Sequence, residues 1–156
     1  MSLLTDIVFV RALKSNAELM KQLPAGSVYN TSIALPDVDL DNAPVPYVIV
    51  TFDGLQNESL TKDSLYEGST DSVQVGIEVC AKTRAQLGIL TSMVRRTIRT
   101  FFEEVTDDDK DYWLVPIDYK LSATGIQYDH IKPCYWQVLN YQCETNADRD
   151  DDGQEG

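Results

Sequence analysis

The clearest alternation of apolar and polar residues covers positions 72–80 and leads directly into a helical pattern at 83–102. Period two predicts a strand with one apolar face, and spacings of three and four predict a helix with one apolar stripe. The apolar residues are Val73, Val75, Ile77 and Val79 in the strand, and Leu87, Leu90, Val94, Ile98 and Phe101 in the helix. Thr83 is placed to cap the first helical turn. Each element can bury the apolar face of the other, so we expect the pair to form the core. None of the residues in this pair is a credible catalyst.

The N-terminal residues predict two helices. Apolar spacing indicates the first over 3–13. Ser15, with Glu18 three residues later, has the pattern of a capping box and predicts the start of a short second helix that ends at Leu23, before a proline and a glycine. The pattern leaves open whether these are two helices or one kinked rod.

Two strands follow, separated by a proline-rich segment. β-Branched and aromatic residues predict a strand at 27–34. The nearly all-apolar run at 47–52 predicts a strand that is covered on both faces. Between them, residues 35–46 contain three prolines, which restrict the backbone and predict an ordered, extended loop.

A polar segment at 53–70 joins the strand at 47–52 to the strand at 72–80. As a hairpin connection it is far longer than the usual few residues, and such connections are usually disordered or functional. It contains four large apolar residues, Leu55, Leu60, Leu65 and Tyr66. These residues favour a contact arm over a plain linker.

The remaining pattern completes an α+β domain. Alternation at 113–121 predicts a strand, and Pro116 inside it predicts an edge position or a bulge. Residues 122–133 are typical of a turn or a loosely paired segment, and 134–144 of a last strand. The element order is then α-α-β-β-β-α-β-β. We expect a single domain over 1–146, with a mostly antiparallel sheet of about five strands and one long helix packed across it.

The chain is strongly acidic, with a formal net charge of −12 over 156 residues. This argues against nucleic-acid binding, which needs clustered Lys and Arg to neutralise phosphates. Residues 147–156 contain five acidic residues and one arginine, a net charge of −4, so the rest of the chain carries −8. We expect residues 147–156 to form a flexible tail. No window approaches the roughly 18 apolar residues of a membrane span. The first residues show no secretion signal, so we expect the chain to stay in the cytoplasm.

No residue set typical of catalysis or metal binding is present. The chain has one histidine, His130, and three cysteines, Cys80, Cys134 and Cys143. Without a CxxC pair these are too few well-spaced ligands for zinc, so we expect free, mostly buried thiols. The alternating acids Asp37, Asp39 and Asp41 lack the glycine and distal glutamate of a calcium loop. With no nucleophile–base motif either, we expect no enzyme, no metal and no cofactor.

Basic residues cluster on the predicted long helix. Arg95, Arg96 and Arg99 lie toward its end, with Lys82 and Arg84 near its start. In one interpretation the arginines complement the helix macrodipole. In the other, this face meets an acidic surface of a neighbouring subunit, and a self-assembling ring follows simply because the chain itself supplies such surfaces. The candidate interface residues are Leu55, Leu60, Leu65, Tyr66, Arg95, Arg96 and Arg99.

Several segments, taken in order, resemble phage tail-completion and tail-terminator proteins. The segment 73–87, VQVGIEVCAKTRAQL, resembles that family's strand-to-helix signature, and Arg95–Arg96 match its paired arginines. VYN at 28–30 and PYVIV at 46–50 resemble two of its strands, and YWQVLNY at 135–141 resembles its final aromatic strand. The likeness covers residues 3–144, nearly the whole chain.

The resemblance implies a small α+β subunit that forms a homohexameric ring in the virion, at the head-proximal end of a long tail. Such rings cap the tail tube protein and meet the head-completion or connector protein. They let DNA pass without binding it specifically, contact no membrane and assemble in the host cytoplasm. The segments 35–46, 53–70 and 147–156 depart from the family pattern. Another neck or minor tail subunit therefore stays an alternative, as does a prophage-encoded interaction module of the same fold with a different partner.

Overall fold

Within the part of the chain that the structure describes, two short helices, three strands, one long helix and three further strands follow one another. The computed structural model describes residues 5–30, 44–58, 70–104 and 118–146. The elements are α1 (Thr5–Ser15), α2 (Ala17–Gln22), a 3-10 turn (Pro24–Gly26), β1 (Val28–Asn30), β2 (Tyr47–Glu58), β3 (Thr70–Ala81), α3 (Arg84–Glu104), β4 (Asp118–Ala123), β5 (Gln127–Asp129) and β6 (Cys134–Asn146).

All six strands form one mixed sheet, in the order β1-β2-β3-β6-β4, with β5 also paired to β6. β1 and β2 are parallel, whereas the other pairs are antiparallel. β3 is central, because β2 and β6 pair with it along its length. The predicted α+β class and the mostly antiparallel sheet are confirmed; the sixth strand is the short β5, in the segment predicted as a turn or loosely paired.

The core lies between one face of the sheet and the helices α1 and α3. Val73, Val75, Ile77 and Val79 of β3 are completely buried there, and so are Leu87, Leu90, Val94 and Ile98 of α3. Burying such side chains contributes about 1.5–3 kcal/mol each, so their burial on this face strongly stabilises the fold. The predicted pairing of strand and helix as the core is confirmed.

The caps explain where α3 and α2 begin. Thr83 caps α3 as predicted: its hydroxyl accepts a hydrogen bond from Gln86 N at 3.1 Å. For α2 the predicted cap is wrong. Asn16, not Ser15, accepts from the backbone N–H groups of residues 18 and 19. Ser15 is instead the last residue of α1, and its hydroxyl donates a hydrogen bond to Ala12 O within that helix.

The segment 53–70 differs most from its prediction. β2 continues to Glu58 and pairs with β3 up to Thr70, so Leu55 belongs to a strand and not to a connection. The register shifts between Phe52 and Gly54, where Asp53 forms a bulge. A bulge adds one residue to a strand and breaks the period-two pattern, which hid the strand's second half. Leu60, Leu65 and Tyr66 lie outside the described residues, and their contact arm stays a prediction.

The remaining predictions are partly covered by the described residues. β4 begins at Asp118 and lies at a sheet edge, which confirms the edge position, whereas 113–117 with Pro116 lie outside. The strand at 47–52 is covered on both faces as far as Val50, because Tyr47 and Ile49 pack with Cys80 and Trp136 on the face opposite the core. Residues 31–43 and the tail 147–156 also lie outside.

The three cysteines are free and buried, as predicted. Burial raises the pKa of Cys80 to about 12, although a hydrogen bond with Tyr47 opposes the shift, and burial raises that of Cys143 to about 12 as well. These thiols are therefore protonated near neutral pH. Within the described residues no helix is long and apolar enough to cross a membrane.

Candidate functional site

A groove with a volume of about 300 Å³ lies between α3 and the β4 side of the sheet. It is lined by Ser92, Arg95, Arg96 and Arg99 from α3, by Tyr119 and Leu121 from β4, and by Tyr141 from β6. We call this set of residues the arginine groove. Its volume is at the lower end of the range typical of small-ligand pockets, so it accommodates a few side-chain-sized groups.

The helix places its four groove residues on one stripe. Ser92, Arg95, Arg96 and Arg99 follow the spacing i, i+3, i+4, i+7, and all four are exposed. This polar stripe lies beside the buried stripe of Val94 and Ile98, because each arginine at 95 and 99 directly follows a core residue. The arginines therefore emerge at the boundary where α3 leaves the sheet.

Tyr141 lies at the base of the groove and is 1% exposed. Its ring packs against Phe9 and Tyr119, with centroid separations of 5.2 and 5.4 Å, which fixes the direction of the phenol. Its hydroxyl has no hydrogen-bond partner; Thr91 Oγ1 is the other such buried side-chain atom within the described ranges. A buried polar atom without a partner costs about 1–3 kcal/mol, so this hydroxyl is an unusual feature.

The electrostatics of the groove favour an anion. Burial raises the pKa of Tyr141, the nearby Tyr119 adds to the shift, and Arg95 opposes it. The phenol therefore stays protonated and keeps a proton to donate, with a guanidinium close enough to act on it. No described residue forms a hydrogen bond or ion pair with Arg95, Arg96 or Arg99. Guanidinium and phenol donors together match a carboxylate or a phosphate.

The macrodipole interpretation of the arginines does not fit the helix as it is built. α3 continues through Glu104, and its last turn contains no basic residue. The macrodipole acts on charges within the last turn, and Arg95 and Arg96 lie two turns or more before the end of the helix. The macrodipole therefore does not account for Arg95 and Arg96, and the contact interpretation stays a prediction.

The structure does not bring all predicted interface residues together. Leu55 is 39% exposed on β2, where it pairs with Val73, whereas the arginine groove lies beyond β3 on the β4 side. The three arginines do share one groove. Tyr141 and Tyr119 were not among the predicted site residues, because alternation along β4 and β6 assigns them only to a core face.

The turn between β5 and β6 exposes an apolar tip that the sequence analysis did not identify. Ile131 is 97% exposed, and Ile126 and Tyr128 nearby are also exposed. The carboxylate of Asp129 accepts hydrogen bonds from the backbone N–H groups of Ile131 and Lys132, which holds the turn. The ring of His130 lies 4.8 Å from that of Tyr128, so the histidine is part of this tip.

Chemistry based on clustered ligands is not evident in the described residues. No group of three or more His, Cys, Asp or Glu residues among them is arranged to hold a metal ion. The candidate calcium residues Asp37, Asp39 and Asp41 lie outside the described ranges.

Comparison with known proteins adds little to this description. No family model and no curated protein matches the chain. Among solved structures, it is similar to a chain of the virion of a native gene transfer agent (GTA) particle, with 14% sequence identity and a TM-score of 0.45. The match covers 87% of this chain and 91% of that chain. A TM-score at this level carries no argument about fold or function.

Proposed function

We propose that the protein is a structural virion protein that assembles with copies of itself into a homohexameric ring at the head-proximal end of a phage tail. As a tail terminator or tail completion subunit, it caps the tail tube and joins it to the head connector. The specific role comes from the resemblance of residues 3–144 to that family. The observation that carries the proposal is the arginine groove in an otherwise acidic chain. The proposal includes no catalysis, metal or cofactor.

The groove supports contact between unlike surfaces of neighbouring copies. Three exposed arginines without partners in the described residues lie on a chain with a net charge of −12. Complementary charge steers association and fixes the orientation of the partners. A contact between two different surfaces of the same protein is heterologous, and repeated heterologous contacts close into a ring when the rotation allows it.

The edge of the sheet beside the groove supports the same arrangement. β4 is an edge strand, and no described strand pairs with its outer side. Such an edge presents backbone N–H and C=O groups that a neighbouring chain can pair with. A copy that docks at the arginines would therefore lie next to this edge.

The acidic surface is compatible with a ring around passing DNA. A wall of negative charge repels the phosphate backbone and so lets DNA move without being held. Another neck or minor tail subunit, or a prophage-encoded interaction module with a different partner, remains the alternative. Binding to the ends of tail tubes separates these functions, because only a terminator or completion subunit caps the tube.

Light scattering of the full chain over a range of protein and salt concentrations tests the proposal. We expect a ring-sized species at low salt that dissociates as salt screens the charge contacts. Arg95→Glu with Arg99→Glu should weaken association more than it lowers the stability of the dissociated chain, measured at high salt. The matched control, Lys82→Glu with Arg84→Glu, makes the same charge change outside the groove and should associate normally. A chain that stays monomeric and leaves tail-tube ends uncapped in electron micrographs would contradict the proposal.

A further inference from the structure

We propose that the arginine groove binds carboxylates of the acidic segment 147–156 of a second copy of this chain. This inference rests on the proposed function, since it names the surface that meets the arginines when copies associate. The contact needs the phenol of Tyr141 as a donor and the guanidinium groups of Arg95 and Arg99 as its charged walls.

The hydroxyl of Tyr141 is the observation that points to a ligand. It is buried at the base of the groove, protonated and without a hydrogen-bond partner. A carboxylate has two oxygens and accepts several hydrogen bonds. One carboxylate can therefore accept a hydrogen bond from the phenol and pair with a guanidinium at the same time. Arg95 is exposed, lines the same groove and acts electrostatically on the phenol, so the two donors can face one ligand.

A polypeptide carboxylate fits better than a nucleic acid. A nucleic acid presents a long row of phosphates and needs a basic track of matching length. Here three arginines from one helix face line one side of a recess of about 300 Å³, and the whole chain carries −12. The groove therefore suits one or two inserted acidic side chains, while its surroundings repel an extended polyanion.

The segment 147–156 has the required composition and follows the strand that forms the groove. Its acidic residues are Asp148, Asp150, Asp151, Asp152 and Glu155, against one arginine. Tyr141 lies five residues before the end of β6 at Asn146, about 17 Å along a strand. Entry into its own groove requires the chain to turn back after Asn146, and the mixing experiment separates this from a contact between copies.

Mixing two full-length variants tests whether the contact is between copies. The groove variant carries Arg95→Glu and Arg99→Glu. The segment variant carries Asp→Asn at 148, 150, 151 and 152 and Glu155→Gln. We expect each variant alone to be monomeric. An equimolar mixture should form a 1:1 complex by light scattering, because one variant supplies the intact segment and the other the intact groove.

The outcomes of the mixing experiment are distinct. If the segment variant alone assembles like the unaltered chain, self-association survives and the proposed occupant is wrong. If both variants fail alone and the mixture also stays monomeric, a contact between copies through this segment is overturned. If the unaltered chain neither associates nor caps tail-tube ends, the proposed function fails, and a direct binding measurement decides the groove chemistry separately.

That measurement uses a fluorescent peptide of residues 147–156 and the full-length segment variant. We expect saturable binding that weakens with salt, and no binding of the peptide with its carboxylates replaced by amides. Tyr141→Phe should weaken binding about tenfold, the effect of losing one hydrogen bond to a charged group. Tyr128→Phe, the same change at an exposed site, should have no effect. If a short DNA duplex or inorganic phosphate displaces the peptide more effectively than the unlabelled peptide does, the groove is a phosphate site and the proposal is overturned.

Discussion

Replacing Tyr141 by phenylalanine should stabilise the isolated chain. The ring packs against Phe9 and Tyr119 and would be kept, whereas the hydroxyl that would be removed has no partner. An unpaired buried hydroxyl costs about 1–3 kcal/mol. The replacement also leaves a small space where the oxygen was, which reduces the gain. We therefore expect the free energy of unfolding to rise by about 1 kcal/mol, or about 2–4 °C in melting temperature for a chain of this size.

Urea and thermal unfolding of the full chain, followed by circular dichroism, measures this change. High salt is used, because association of copies would otherwise add to the apparent stability. Tyr128→Phe is the control; its hydroxyl is on an exposed residue, so its stability should stay within about 0.5 kcal/mol of the unaltered chain. A loss of 1 kcal/mol or more in Tyr141→Phe would refute the reasoning, since it would show that the hydroxyl is already satisfied in solution, for example by a buried water.

Two further predictions concern the scaffold. Asn16→Ala should cost about 1–2 kcal/mol, since it removes the cap of α2 and the hydrogen bond to Thr97 at 2.7 Å, whereas Ser15→Ala should cost clearly less; equal losses in urea unfolding would contradict the assigned cap. Burial raises the pKa of Glu78, so the folded state binds its proton more tightly than the unfolded state, and stability falls as pH rises between the two pKa values. Glu78→Gln should remove that slope and be the more stable form above the window; an unchanged pH dependence of unfolding would count against this prediction.

The sequence predicted the centre of the fold because its pattern there is undisturbed. β3 and α3 each keep one period from end to end, so burial alone decides which side faces the core. β2 was predicted only to its bulge, since Asp53 shifts the alternation and the second half of the strand then looks like a polar connection. The direction of the pairing between β1 and β2 was not predictable either. It depends on the path of the chain between them and not on any local pattern.

The candidate site was also predicted only in part from the sequence. The stripe of Ser92, Arg95, Arg96 and Arg99 follows from helical spacing, and its arginines were predicted as interface residues. Its neighbours across the groove could not be predicted, because Tyr119 and Tyr141 meet the arginines only after β4 pairs with β6 at the edge of the sheet. A sequence pattern can also assign a tyrosine to the core, but it does not show whether the tyrosine hydroxyl has a hydrogen-bond partner. That feature exists only in the assembled fold.

The packing of Tyr141 explains its ring and leaves its hydroxyl unexplained. A phenylalanine would make the same contacts with Phe9 and Tyr119 and would avoid the cost of an unpaired hydroxyl. The arginines are exposed to water and carry no such cost, but they place positive charge beside the same hydroxyl. One carboxylate would serve both features: it would accept the phenol's hydrogen bond and pair with Arg95 or Arg99. An unpaired buried donor and a cluster of cations in one groove, both matched by the same chemical group, are a stronger argument for a binding site than the charge of the arginines alone.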